Sequence, residues 1–564
     1  MTNRILIAFA FAACMQAQPL RSLKTVPVPA TPGLDAYVRD PEALVALGKA
    51  FFWDMQAGSD GRTACASCHF HAGADHRLRN QIADPNNPFP ANLQLSAGQF
   101  PLHQLADPSN RNSTVLRDSP MRVGSAGLFR RTFAGVVPAQ AAELGQDALD
   151  HPEFMIGDLQ VRRVTARNAP SVINAAFYVR NFWDGRAQRI FNGFTPSGNA
   201  ADAPGALVLR DGQLVREPVR LDNSSLASQA TGPILDHLEM SYAGRTWPQL
   251  GKKMLSLRAL ALQVVSPDDS VLGRMARIGD RGLRQSYSEL VRSAFQPAYW
   301  SATELVDGEF TQAEQNFPLF WGLALQAYQS TLISNDSPFD RFQEGDAGAL
   351  TAQEQEGMRL FQNQGRCTTC HGGAEFSAAT FSNNNGRGNN RAFQRTGVRN
   401  AAEDLGSGNG SFKSIGLRNV ELTGPYFHNG GQATLEQVID FYARGGDFAN
   451  NAIRTFNIST TQKAALAAFL RALTDERVRH ERAPFDHPEL CVPSGHPELR
   501  PGLLIPAQLN QFPRSSMENW LGLAAVGAAG HPAPLQTFEE LLLGIGGDGA
   551  RANAMNEGCT APLP

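Results

Sequence analysis

Cys65-Ala66-Ser67-Cys68-His69 is the stretch on which the reading of this chain turns, and it returns as Cys367-Thr368-Thr369-Cys370-His371. In a Cys-x-x-Cys-His loop two thiols are spaced to take the two vinyl groups of one haem as thioethers. The histidine that follows is placed to ligate the iron. A single copy reads equally as a redox dithiol or as part of a zinc site, which would need four gathered ligands. Two separate copies, each with its own histidine, favour two covalently bound haem c groups. His69 and His371 are then the proximal ligands.

The sequence around the first motif is helical. Asp40-Pro41-Glu42 reads as a helix start, with Asp as N-cap and Pro in the first turn. Leu44, Leu47, Ala50 and Phe51 recur at helical spacing on the way to Cys65. Ahead of the second motif, Thr351 with Glu354 resembles a capping box, and Gly357-Met358-Arg359-Leu360-Phe361 runs on to Cys367. A helix followed by a Cys-x-x-Cys-His loop therefore occurs twice, as a divergent internal repeat. With 564 residues the chain is too long for one ordinary core. The expectation is a mainly α fold: two cytochrome c-like haem domains, 18–340 and 341–484, with long loop insertions and a C-terminal extension, 485–564.

The segments between are loop-like. Residues 80–115 are full of Asn, Pro and Asp, and the 187–228 insertion is similar. Within it, Ala206–Leu209 and Leu214–Arg216 flank Asp211-Gly212, a hairpin signal. Residues 18–38, rich in Pro and polar groups, read as a tether. The tail is Pro-rich, with one helix candidate near 536–544.

Composition narrows the function. The net charge is −3 and no basic stripe is present, which excludes a nucleic-acid binder. No internal apolar run is long enough to span a membrane. Residues 1–17 read as an export signal, with Arg4 ahead of the apolar run Ile5–Ala13 and cleavage after Ala17, which places the protein in the periplasm. A lipid anchor on Cys14 is the alternative, although Phe11 is a poor start for a lipobox. Of seven cysteines, Cys491 and Cys559 are left over in the tail, and an oxidising compartment favours a disulfide between them.

Several longer strings resemble a known family. They are Asn168-Ala169-Pro170-Ser171-Val172-Ile173-Asn174, then Phe182-Trp183-Asp184-Gly185-Arg186, then Gln229, Pro233 and Glu239-Met240. Last comes the string from Leu417 to Gly430, with Thr423-Gly424-Pro425-Tyr426-Phe427-His428 inside it. In this order they resemble the dihaem cytochrome c peroxidase and MauG superfamily, over roughly residues 40–80 and 160–475.

The resemblance implies roles. Glu239 is the distal acid–base carboxylate at the first, peroxidatic haem, with Gln229 and Pro233 in the same pocket. Trp183 relays electrons between the haems. Asn168, Thr423 and Pro425 hold one calcium ion through oxygen ligands. Fourteen residues after His428, where the peroxidases carry an axial Met, stands Tyr442, as in MauG. A phenolate there lowers the potential of the second haem relative to Met. Eight residues before Asn168, where the peroxidases carry a capping histidine, stands Gln160, so the first haem is expected to be open. His71, His76 and His103 are the candidates to close it.

The implied activity is reduction of hydrogen peroxide to water, with oxidising equivalents shared between two haems. The electrons come from an external donor, such as a small c-type cytochrome or a cupredoxin, or from a protein substrate. Two rivals stand beside it: a dihaem oxygenase of the rubber-cleaving type, and a non-enzymatic dihaem electron carrier.

Overall fold

The computed structural model describes residues 18–82, 94–148, 152–156, 159–384, 392–450, 452–495, 518–545 and 559. The expected leader, with Cys14, lies outside the described residues.

The structure is mostly helical, and its strands pair only as two-stranded antiparallel ladders among the described residues. The first-motif helix spans Pro41–Trp53, and Asp40 caps it by accepting from Glu42 N at 2.9 Å and Ala43 N at 3.1 Å. The second-motif helix, Ala352–Gln362, starts on the expected Thr351/Glu354 capping box. Each helix crosses a partner at a glycine. A Cβ on Gly48 would lie 1.9 Å from the Ala324 carbonyl oxygen and 2.8 Å from Tyr328 Cβ, on the helix Phe317–Gln329. A Cβ on Gly357 would lie 2.0 Å from the Ala465 carbonyl oxygen and 2.7 Å from Phe469 Cβ, on the helix Thr460–Arg471. The internal repeat is thus a repeated close crossing, glycine against Ala-x-x-x-aromatic. Such contact of backbones is open only to a residue without a side chain.

The apolar side chains gather mainly into two clusters. The larger draws on the first-motif helix, Phe317–Gln329 and Tyr287–Ala294. The smaller, built on Phe339, Phe361, Phe376 and Phe469, surrounds the second-motif helix pair. Three of these phenylalanines meet Phe376 edge-on or tilted at 5.0–6.3 Å between ring centres.

Two segments do more than the sequence suggested. Residues 18–38 are not a loose tether. Leu20 is buried in the smaller cluster, Leu23 N donates to Asp340 at 2.9 Å, and Val38 is buried in the larger one. The segment straps the two clusters together. The tail after 485 belongs to the larger cluster through Phe485, Leu490, Val492, Trp520 and Leu535. Its strands Leu490–Pro493 and Trp520–Leu523 pair, and Cys491 is joined to Cys559 by a disulfide. Asp486 reaches Lys49 at 3.1 Å, opposite Asp269 at 2.8 Å, with all three side chains fully buried. The expected hairpin forms as Ala206–Arg210 with Gln213–Glu217, and its turn residues Asp211 (φ 49°) and Gly212 (φ 81°) are both left-handed.

Candidate functional site

Each Cys-x-x-Cys-His motif forms a short 3-10 turn, Cys65–Cys68 and Cys367–Thr369, which bunches its two sulfurs. The histidines are oriented through one ring nitrogen. His69 Nδ1 lies 2.9 Å from the Gly73 carbonyl oxygen, and His371 Nδ1 lies 3.1 Å from that of Ile415. Such a bond fixes the tautomer and leaves Nε2 for a metal. Burial lowers both imidazole pKa values, favouring the neutral form that an iron needs. Burial also pushes the Cys65 and Cys68 thiols up to about 12. A reactive dithiol has depressed thiol pKa values, so these sulfurs suit thioether attachment better than redox exchange. Among the described residues no three His, Cys, Asp or Glu side chains gather as a zinc site would require. The residues present fit haem at both loops.

A cavity adjoins the second loop. It brings together Asn168, Trp183, Gln229, Thr423 and Pro425, and Ile415, the residue that holds His371, shares its wall. Trp183 is buried, donates from Nε1 to the Asn168 carbonyl oxygen at 2.8 Å, and stands 6.1 Å from the His428 ring. Asn168 N donates to the His428 carbonyl oxygen at 2.8 Å, and its side-chain Nδ2 is buried with no partner. The three proposed calcium ligands therefore face one space, and they offer neutral oxygens of the kind calcium accepts. Val172 and Ile173 line this cavity and also a smaller one walled by His69, Trp53 and Phe485.

Glu239 is not on the wall of the large cavity. It follows the turn Pro233–Leu235, and its charge acts on both Cys65 and Cys68. Burial, helped by Asp236, pushes its carboxyl up to about 7, against the opposing pull of Arg186. Tyr442 sits on the helix Leu435–Ala443. Burial raises its phenol above the ordinary range, and Cys370 and Cys367 are the charges that reach it. The tyrosine thus lies within electrostatic reach of the second loop's cysteines.

His103 bonds Asp118 at 3.0 Å and packs on Phe448, which follows the Tyr442 helix. His71 and His76 stack on each other at 3.5 Å. Gln160 is buried, with its amide on the Ala148 carbonyl oxygen.

Charged side chains inside the protein are what the sequence did not point to. Lys413 lies on the large cavity, 3.8 Å from the Tyr178 ring centre, and burial pushes its amine down to about 7. His428, stacked on Phe412 at 3.6 Å, is pushed down to about 3 by burial. No composition or spacing signal marks either as buried.

Residues 42–348 match the model of the family described as di-haem cytochrome c peroxidase, a stretch that takes in the first motif and ends before the second. The chain belongs to the di-haem cytochrome c peroxidase family. Among its relatives, cytochrome-c peroxidase IdrP2 of Denitromonas iodatirespirans is 34% identical over 173 residues, 26% of this chain and 47% of that one. The methylamine utilization protein MauG of Methylorubrum extorquens is 32% identical over 163 residues, 27% of this chain and 43% of that one. The chain spans about half the length of these curated relatives. Among solved structures, a MauG-like protein associated with microbial copper homeostasis aligns over 85% of this chain and 98% of that one, with 18% identity and a TM-score of 0.43. No helix among the described residues is long and apolar enough to cross a membrane.

Proposed function

We propose that this chain is an exported, periplasmic dihaem c-type peroxidase that reduces hydrogen peroxide to two waters, drawing two electrons from an external donor and two protons from solvent. The observation that carries the reading is Glu239, a half-buried carboxyl raised to about 7, whose charge reaches both cysteines of the first Cys-x-x-Cys-His loop. Bound at the two loops, the haems supply the iron that binds peroxide and the redox capacity to split it. The chain supplies the rest. At neutral pH Glu239 exists in both protonation states, so it can take the proton from one peroxide oxygen and return it to the departing one. Gln229 and Pro233 shape the approach to it. Trp183 would relay electrons toward the second haem, which Tyr442 would help to hold. Asn168, Thr423 and Pro425 would hold a calcium ion. Burial favours the protonated phenol of Tyr442, so its use as a ligand would require loss of that proton. The domains follow the same division: a peroxidatic unit 18–340, an electron-transfer unit 341–484, and the extension 485–564.

The test is Glu239→Gln in the haem-loaded protein, assayed for peroxide consumption with a reduced small c-type cytochrome. Loss of a general acid–base group lowers turnover by about 10²–10⁴-fold, with haem absorption unchanged. Undiminished turnover would remove the acid–base role and the reading with it.

A further inference from the structure

We propose that Arg245 is a positioning residue for the reaction: with Glu143 as its anchor, it staples the two ends of the Glu239 loop to the segment that leads into the first Cys-x-x-Cys-His motif. This rests on the acid–base reading of Glu239 and adds to it the device that sets where the carboxyl stands.

The loop turns on Asp236, whose carbonyl oxygen accepts from Glu239 N at 3.2 Å and from Met240 N and Ser241 N at 3.0 Å, and whose carboxylate accepts from Leu238 N at 2.7 Å. One guanidinium then closes it. Arg245 Nη2 donates to the Ile234 carbonyl oxygen on one side and to that of Met240, at 3.2 Å, on the other. Arg245 Nη1 donates to the Ala57 carbonyl oxygen at 3.2 Å and to Glu143. Ser59 N donates to the Met240 carbonyl oxygen at 3.0 Å, and Ser59 Oγ accepts from Tyr242 N at 2.8 Å. Ala57, Gly58 and Ser59 lie between the first-motif helix and Cys65. The same fork therefore grips the stretch that carries the carboxyl and the stretch that carries the haem cysteines.

The grip is electrically balanced in part. Glu143 accepts from Ser59 Oγ at 2.6 Å and from Lys253 Nζ at 2.7 Å, and Lys253 also donates to the Gly58 carbonyl oxygen at 2.9 Å. Arg245, Glu143 and Lys253 have fully buried side chains. Burial would raise the Glu143 carboxyl, but the two cations overcome that and hold it below its usual range. Three buried charges persist only where partners satisfy them, and their geometry is correspondingly fixed. The opposite wall of the loop is equally close. A Cβ on Gly127 would meet the Leu238 carbonyl oxygen at 1.9 Å. Only Arg has a planar fork that reaches three carbonyls and a carboxylate at once. A lysine keeps the charge that Glu143 needs but reaches one partner at a time.

The experiment is Arg245→Lys in the haem-loaded protein, alone and combined with Glu239→Gln. Amide hydrogen exchange of residues 234–241 is measured alongside peroxide turnover. Displacing a reacting group by about 1 Å costs on the order of 10²-fold in rate. Arg245→Lys should therefore lower turnover about 10²-fold and speed exchange at Glu239, Met240 and Ser241. The double variant should be no slower than Glu239→Gln alone, because both changes act through one group. Glu143→Gln, which loosens the anchor and leaves the fork, should reproduce a smaller part of the effect. Unchanged exchange at 239–241, or losses that multiply in the double variant, overturns the proposal. Should Glu239→Gln turn over normally while Arg245→Lys still frees the loop, the staple stands and it is the acid–base reading that has failed.

Discussion

Two carboxyl groups show what single residues contribute, and they are tuned in opposite directions. Glu239 is raised by burial and by Asp236, with Arg186 the facing cation. Its ionised form is the base, so kcat/KM for peroxide should rise with pH through about 7 and level off above it. Arg186→Gln removes a charge that favours ionisation and should move this limb to higher pH, while Glu239→Gln should abolish it. A pH–rate profile of the three proteins decides this. Asp340 is lowered. Burial works against its ionised form, but Arg418 outweighs burial and holds it at about 2. A depressed carboxyl contributes stability above its ordinary value near 4 and loses it as pH falls through about 2; a shift of this size is worth roughly 2 kcal/mol. Arg418 and Asp340 are both buried. Asp340→Asn should therefore cost about 3–5 kcal/mol at pH 7 by stranding the arginine. Urea unfolding at pH 7 and pH 3 should show the variant losing less between the two than the parent protein.

At the scale of elements, the paired glycine crossings carry a direct prediction. Gly48→Ala and Gly357→Ala each place a methyl against a backbone carbonyl, where little can move, and should cost about 3 kcal/mol. Gly98→Ala, with nothing within 4 Å of its Cβ, is the control and should stay within about 0.5 kcal/mol. Thermal unfolding of the three variants compares them. The same scale shows what the sequence made legible. Asp40, the Thr351/Glu354 box and Asp211-Gly212 all appear as read, because a cap or a tight turn is decided within four residues. The tail helix Phe538–Leu543 falls inside the expected 536–544 for the same reason. The role of residues 18–38 was not legible. Leu20 and Leu23 are isolated apolar residues whose partners lie far along the chain. At the site, the grouping of Asn168, Trp183, Thr423 and Pro425 follows the resemblance. Arg245, Glu143 and Lys253 gave no signal, since charged residues in loops and on a helix ordinarily face water.

At the scale of the molecule, the tail is part of the first haem region and not an appendage. Arg77 donates to the Pro493 carbonyl oxygen and, at 2.8 Å, to that of Ser67 within the first motif, while Asp75 holds its guanidinium. The disulfide ties Cys491, on the tail strand Leu490–Pro493, to Cys559 over a separation of 68 residues. Replacing both Cys491 and Cys559 by Ser should cost about 2–4 kcal/mol. Differential scanning calorimetry with haem absorption followed in parallel would show it, with the first haem disturbed before the second.

The strap has a consequence for how the chain is made. Ser22 Oγ donates to Glu344, 322 residues later, and Leu20 shares its cluster with Phe469. Synthesis delivers the first piece of the smaller core before anything it packs against exists. That piece must wait, unpaired, until the stretch from Phe339 to Leu473 has been made. The region of the second Cys-x-x-Cys-His loop is thus completed by a segment synthesised long before it. The smaller core becomes whole only where these two distant stretches meet.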